Sequence, residues 1–301
     1  MLCISASLHL WARLRNVTTL PMFADTLSTG GLRQTVKNHL LRFALSGKNV
    51  PCIANHSLNA SLTLESVLHL PATRIVPWER PLLAVNPDIK PPFPDPMRLR
   101  AFFAGTLSVE KGVGDCLAAA ALLRDQGIRL ELDFAGAGDI AVWKAETERL
   151  GIADRVRFLG KLANDEVRQR MREADIVLVP SRHDYAEGLP NTLCEGLAAR
   201  SVLVASDHPA FASRLRPDED SIVFRAADPK DMADQITRVA ADPVLQVRLS
   251  RNAAAAHDAL HIGINRFLLT DLFFEDPRNK TGWVSRHSLQ TLRINGQKTR
   301  S

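Results

Sequence analysis

Two carboxylates separated by seven residues stand out in Glu187-Gly-Leu-Pro-Asn-Thr-Leu-Cys-Glu195. The segment opens at Ser181, after the apolar run Ile176-Val-Leu-Val179 and Pro180. It therefore lies outside the carboxyl end of a buried strand, where open α/β sheets bind ligands. Pro190 suits the first position of a helix, where its missing N–H is not needed. The next amides, Asn191 and Thr192, then sit at the positive pole of the helix, a place for phosphate. Glu187 falls in the loop and Glu195 more than one turn inside the helix. On the order of 10 Å separates them, too far for a shared metal but suited to gripping two parts of one extended ligand. Taken alone the pair reads, about two to one, as a capping carboxylate and a solvated helix residue.

Two further strand ends carry comparable features. Phe102-Phe-Ala-Gly-Thr-Leu-Ser-Val-Glu-Lys-Gly112 reads as strand, glycine turn, lysine, then helix. Gly105 lets a ligand approach the backbone, and Lys111 at a helix entrance can neutralise a diphosphate. Phe134-Ala-Gly-Ala-Gly138 ends another strand with Gly136 and Gly138. A lone lysine is usually a solvated charge; three such turns in one sheet are harder to dismiss.

These residues need a scaffold, and the pattern supplies one. Short β-rich runs at 99–104, 129–135, 155–159, 175–180, 201–206 and 221–225 alternate with helix-patterned stretches at 113–125, 140–150, 165–173, 191–199 and 229–241. Such alternation specifies parallel βαβ units in a doubly wound sheet. Upstream, prolines 87, 91, 92, 94 and 96 exclude helix and ladder, so 86–97 reads as an extended linker. Residues 1–85 read as βαβαβ, with strands near 17–24, 50–55 and 74–77, about half of a nucleotide-binding-type domain. The second α/β domain is expected over 98–257. A C-terminal helix packing back is expected over 258–276, and a solvated, disordered basic tail over 277–301.

At 301 residues the chain has room for two domains, and 46% hydrophobic residues exclude a largely disordered chain. The net charge of +5 lies in the last 26 residues, so it says little about the body and no nucleic-acid partner is expected. Cys3, Cys52, Cys116 and Cys194 have no metal-ligand spacing and read as reduced, mostly buried small residues. No run approaches the ~20 apolar residues of a membrane span, and Arg13 follows rather than precedes the apolar opening. The expected location is therefore cytoplasmic. A peripheral position at the inner face of the membrane is compatible with Trp11, Arg13 and Arg15 and with Arg33, Lys37 and Arg42 on one helix.

From about Phe102 to His257 the chain resembles the donor-binding domain of the retaining nucleotide-sugar glycosyltransferases of family four, also called group 1, which have the GT-B fold. The matching pieces are Ala104-Gly-Thr-Leu-Ser-Val-Glu-Lys-Gly112, Ala135-Gly-Ala-Gly138, Val156-Arg-Phe-Leu-Gly160, 175–181 and the Glu187–Glu195 segment. The resemblance implies an α/β protein of two Rossmann-like domains, the N-terminal one truncated. It implies metal-independent transfer of a sugar from a nucleoside-diphosphate sugar to an acceptor hydroxyl, with retention, as in polysaccharide or glycolipid biosynthesis. The nucleotide sugar is a co-substrate and no cofactor is implied; the acceptor would be a lipid-linked or polysaccharide sugar. Lys111 would bind the diphosphate, supported by the amides of Asn191 and Thr192. Glu187 would face the transferred sugar, and Glu195 would bind the ribose hydroxyls. Gly105, Thr106, Gly136, Gly138, Gly188 and Leu189 would line the donor, and the backbone of Gly160, Lys161 and Leu162 would border the base.

Two departures from that pattern carry expectations of their own. Thr106 stands where the family usually has an arginine, so a second diphosphate cation must come from Arg182 or Arg155; such a contact is typically worth ~1.5–3 kcal/mol. Only 85 residues precede the linker, and Gly30-Gly31 reads as lying before a helix rather than after a first strand, with Asp25 the nearest polar group to that strand. A truncated relative that binds donor without turnover is the alternative reading. A dinucleotide-dependent oxidoreductase is disfavoured because the first turn lacks G-x-G-x-x-G and Ala135 stands where an acidic residue would be needed. His183 and Asp184 read as sugar contacts or exposed loop residues, His56 as a neighbour of a Ser57 helix cap, and Asp218-Glu-Asp220 as a solvated turn.

Overall fold

The computed structural model describes residues 2–24, 27, 30–79, 83–185, 187–260 and 263–298. The chain divides into two compact units, Met1–Leu82 with His261–Ser301, and Leu83–Leu260.

The first unit contains α1 (Leu2–Leu14), β1 (Met22–Phe23), α2 (Gly31–Leu45), β2 (Ile53–His56), α3 (Leu58–Leu68) and β3 (Ile75–Glu79). The strand expected over 17–24 shrinks to two residues: Pro21 precedes it, and only Met22 and Phe23 find partners, on Ala54 and Asn55 of β2. The helix α1 occupies the mildly apolar opening stretch, whose order of charge carries no helical signal. Gly30 is the N-cap of α2 and Gly31 its first residue, so the pair lies before a helix, as expected; Asp25 lies outside the described residues. Ser57 caps α3, accepting the Ala60 N–H at 3.4 Å, while His56 rests against the Trp78 ring.

The second unit follows the alternation closely. Its strands are β4 (Arg98–Ala104), β5 (Arg129–Ala135), β6 (Val156–Gly160), β7 (Ile176–Val179), β8 (Val202–Ser206) and β9 (Ile222–Phe224). Its helices are α4 (Val113–Asp125), α5 (Ile140–Arg149), α6 (Asn164–Glu173), α7 (Asn191–Ala198), α8 (Pro229–Ala240) and α9 (Pro243–Leu260). All pairings are parallel, in the order β6-β5-β4-β7-β8-β9. Every residue of β7 and β8 is buried, as a sheet covered on both faces requires. The chain winds outward from β4 to β6, then crosses back to β7, which makes the gap between β4 and β7 the topological switch point.

The proline-rich segment is extended, as expected, and is pinned to this unit. Asn86 donates its N–H to Ala198 at 2.8 Å and Phe93 to Gln246 Oε1 at 2.7 Å. Lys90 reaches the amino ends of β7 and β8, donating to Ala174 O at 2.6 Å and Ser201 Oγ at 2.8 Å. Burial pushes the Lys90 ammonium down to about 8, and Arg100 and Arg172 add to the effect against Asp175.

The chain then returns to the first unit as β10 (Ile264–Asn265), α10 (Arg266–Glu275), α11 (Trp283–His287) and α12 (Leu289–Lys298). The sheet order there is β1-β2-β3-β10, all parallel. The expected element over 258–276 thus becomes the end of α9, a strand and a helix. The expected disordered tail over 277–301 is corrected for its described part. Trp283, Val284 and Leu289 are buried and complete the two cores of the first unit, and Arg293 pairs with Glu65 at 2.5 and 3.0 Å. Counting charge alone hid the apolar residues between the arginines. Residues 299–301 lie outside the described residues.

Two outcomes follow. Trp283→Ala should cost about 3–5 kcal/mol in urea unfolding of the full chain; a loss under 1 kcal/mol would place the C-terminal helices outside the core. Because Lys90 titrates lower when folded than its usual 10.5, the unfolded chain holds this proton longer as pH rises. Its contribution to stability should therefore increase between pH 8 and 10. The stability difference between wild type and Lys90→Met should shift by on the order of 1–2 kcal/mol over that window, and a constant difference would contradict it.

Candidate active site

The loops after β4 and β7 meet over the switch point, and backbone geometry holds them there. Gly112 takes φ +75 at the N-terminus of α4, and a Cβ on it would stand 2.2 Å from the Pro180 carbonyl. Only glycine allows that approach. Arg182 donates its N–H to the Glu110 carbonyl at 2.8 Å. Lys111, between Glu110 and Gly112, is thereby set beside the loop that carries Glu187.

The Lys111 ammonium pairs with Glu187 Oε2, both side chains being largely buried. Ser181 donates its hydroxyl to the same carboxylate oxygen at 2.8 Å and lies 3.5 Å from Lys111 Nζ. The Tyr185 ring lies under the ammonium, 4.4 Å from its centroid. Burial, with the charges of Glu187 and Glu110, pushes the Tyr185 phenol up and keeps it protonated.

The helix α7 is docked on the same gap. Pro190 is its N-cap rather than its first residue, one position earlier than expected, which makes Asn191 and Thr192 the first two helical residues. Their N–H groups have no partner within the helix. Thr192 Oγ1 donates to the Ala104 carbonyl at 2.7 Å, fixing that end against the carboxyl end of β4. Glu195 is half-buried and, three residues after Thr192, shares its face of the helix. Lys111 and Glu187 thus pair beside the switch point, and Thr192 ties the amino end of α7 to the neighbouring end of β4.

Two of the glycines serve close approach of backbone to backbone. A Cβ on Gly136 would lie 1.7 Å from the Gly105 carbonyl, and one on Gly138 2.5 Å from Leu107. At these two positions backbone itself comes close. Gly105 donates to Ala135 O at 2.9 Å and Gly136 to Gly160 O at 2.7 Å, so three adjacent strand ends are laced into one rim. Thr106 is exposed beside it. Gly160, Lys161 and Leu162 follow β6 at the far end of that rim; Lys161 is exposed, whereas the Leu162 and Leu189 side chains pack into the core. Gly188 is half-buried beside Glu187.

Neither substitute for the arginine missing at Thr106 is available. Arg182 is held by Asp115 of α4 at 2.7 and 2.9 Å, which raises its affinity for its proton. Arg155 precedes β6 and pairs with Asp154, at the amino edge of the sheet. His183 pairs with Asp207 at 2.8 Å, and Asp184 is exposed. His208, which the sequence reading passed over, accepts the Ala210 N–H on Nδ1 at 3.1 Å, leaving Nε2 to donate to the Tyr185 carbonyl at 3.1 Å. Burial lowers its pKa and favours that neutral ring. Ser181 and Tyr185 were also passed over; the position of Ser181 directly after Pro180 was the available signal. Asp220, read as solvated, is buried and accepts from Arg216 and Ser221.

A cavity of about 210 Å³ lined by Lys90, Phe93, Arg100, Asp175 and Arg200 also lies in this unit. It opens at the amino ends of the strands, opposite the edge where doubly wound sheets bind ligands. Among the described residues no three His, Cys, Asp or Glu side chains converge, and no helix is long and apolar enough to cross a membrane.

The family of glycosyl transferases group 1 matches residues 98–242. The chain is similar to alpha-D-kanosaminyltransferase of Streptomyces kanamyceticus, 29% identical over 156 residues, which is 50% of this chain and 39% of that protein. It is also similar to the lipopolysaccharide core biosynthesis mannosyltransferase LpcC of Rhizobium leguminosarum bv. viciae, 33% identical over 36% of this chain and 30% of the relative. These matches therefore span less than half of either relative. Among solved structures, the Anabaena protein HepE in complex with UDP superposes with a TM-score of 0.72 at 14% identity, covering 91% of this chain and 76% of that one. The α/β architecture is GT-B, and residues 98–242 are similar to the glycosyl transferases group 1 family.

Proposed function

We propose that the chain transfers a sugar from a nucleoside-diphosphate sugar to an acceptor hydroxyl with retention and without a metal ion. The observation that carries this reading is the meeting of Lys111, Glu187 and the amino end of α7 across the β4–β7 gap. A diphosphate there would exchange the Lys111–Glu187 pair for a Lys111–phosphate contact and accept the α7 amides. Glu187, released from the cation, would face the sugar, and Glu195 would accept the ribose hydroxyls. Catalysis would be electrostatic, holding the departing diphosphate while the acceptor hydroxyl attacks from the same face. Similarity to a lipopolysaccharide core biosynthesis mannosyltransferase favours a sugar acceptor, lipid-linked or polymeric.

Donor binding without turnover remains the second reading. Thr106 and the capture of Arg182 by Asp115 leave Lys111 as the cation at the crevice among the residues discussed.

UDP, the nucleotide present with HepE, is the first ligand to test, followed by GDP and ADP. At 100 times its Kd a ligand adds about 2.7 kcal/mol to stability. One of the three should therefore raise the melting temperature at millimolar concentration, and Glu195→Ala should remove most of that rise. No rise with any of them would contradict the proposal; a rise without sugar transfer across a broad acceptor panel would select the second reading.

A further inference from the structure

Resting on the donor reading above, we infer that the Tyr185 hydroxyl is a further hydrogen-bond donor to the diphosphate, placed beside Lys111. A diphosphate spreads its charge over several oxygens, whereas Lys111 offers one ammonium. Arg182, in the same loop as Glu187, is held by Asp115 at 2.7 and 2.9 Å. An anion bound by so little positive charge needs neutral donors around its remaining oxygens.

The loop fixes the tyrosine before a ligand arrives. Its N–H donates to the Arg182 carbonyl at 3.1 Å, and its carbonyl accepts the Glu187 N–H at 2.8 Å. His208 Nε2 donates to the same carbonyl at 3.1 Å, and the His208 ring stacks on Phe211 with centroids 5.3 Å apart. With both backbone groups held, the half-buried Tyr185 ring turns a face to Lys111 Nζ, 4.4 Å from the centroid. The hydroxyl at the rim of that ring is near enough for one phosphate group to touch it and Nζ together.

The hydroxyl is also free to donate. It has no hydrogen-bond partner among the described residues; Ser181, not Tyr185, donates to Glu187 Oε2. Burial, followed by the charges of Glu187 and Glu110, pushes the phenol up, so it carries its proton at neutral pH. A hydrogen bond to a charged oxygen is stronger than one between neutral groups. The ammonium over the ring draws such an oxygen, which favours a phosphate over a sugar hydroxyl as the acceptor.

Titration of UDP into the full chain and into Tyr185→Phe isolates the hydroxyl, because phenylalanine keeps a ring beside Lys111. UDP affinity should fall about tenfold, the scale of one hydrogen bond to a charged group, with the melting temperature unchanged. The chain has a single tyrosine, so 3-fluorotyrosine gives the wild-type sequence one fluorine resonance. Saturating UDP should raise the titration midpoint of that phenol, since a bound anion disfavours the phenolate. Equal UDP affinity in wild type and Tyr185→Phe, or an unmoved midpoint, would overturn the inference. So would a loss seen with UDP-glucose but not with UDP, which would put the hydroxyl on the sugar. No binding of UDP, GDP or ADP to the wild type would instead defeat the donor reading, and this inference with it.

Discussion

A lysine and a glutamate from two different loops form an ion pair beside the place where the sheet reverses its winding. The second unit is arranged so that this contact forms. Lys111 and Glu187 follow strands that are neighbours in space, and they lie 76 residues apart along the chain. Bringing two largely buried charges together costs solvation that their mutual attraction alone need not recover. Ser181 and the Tyr185 ring offset part of that cost by supplying a hydrogen bond to the carboxylate and a π face to the ammonium. On the proposed reading, the pair is a charge held ready and internally neutralised, to be exchanged for the donor's diphosphate.

Positioning comes from backbone more than from side chains. Gly112 under Pro180 and Gly136 under Gly105 permit contacts that any Cβ would block. The rim is therefore stiff before a ligand arrives, and stiffness of this kind lowers the ordering cost of binding. The same rigidity explains why a missing arginine at Thr106 is not replaced. Arg182, the nearest candidate, already neutralises Asp115 inside the first turn of α4, and withdrawing it would leave a buried carboxylate alone.

The second unit was legible because its strands are continuous apolar runs and its helices are separated by turn residues; α4 and β5 fall on their expected bounds. Lys111, Glu187 and the α7 end were legible from their place after strands. The partners Ser181, Tyr185 and His208 were not, because a loop's spacing does not tell which side chain folds over which. The first unit was harder. Its strands β1 and β10 have two residues each, too few for any alternation to register. The basic C-terminal residues concealed Trp283, whose burial is decided by tertiary packing against β3 and α10 rather than by local composition.

The central claim is that Lys111 is the diphosphate's cation and that Glu187 competes for it in the unliganded protein. Isothermal titration of UDP into wild type, Lys111→Met and Glu187→Gln tests this most directly. The account predicts that Lys111→Met weakens binding by roughly tenfold to a hundredfold, the scale of one charge-assisted contact. It also predicts that Glu187→Gln binds UDP at least as tightly as wild type, because the competing carboxylate charge is gone. Wild-type affinity in Lys111→Met, or a Glu187→Gln loss as large as the lysine's, would contradict it.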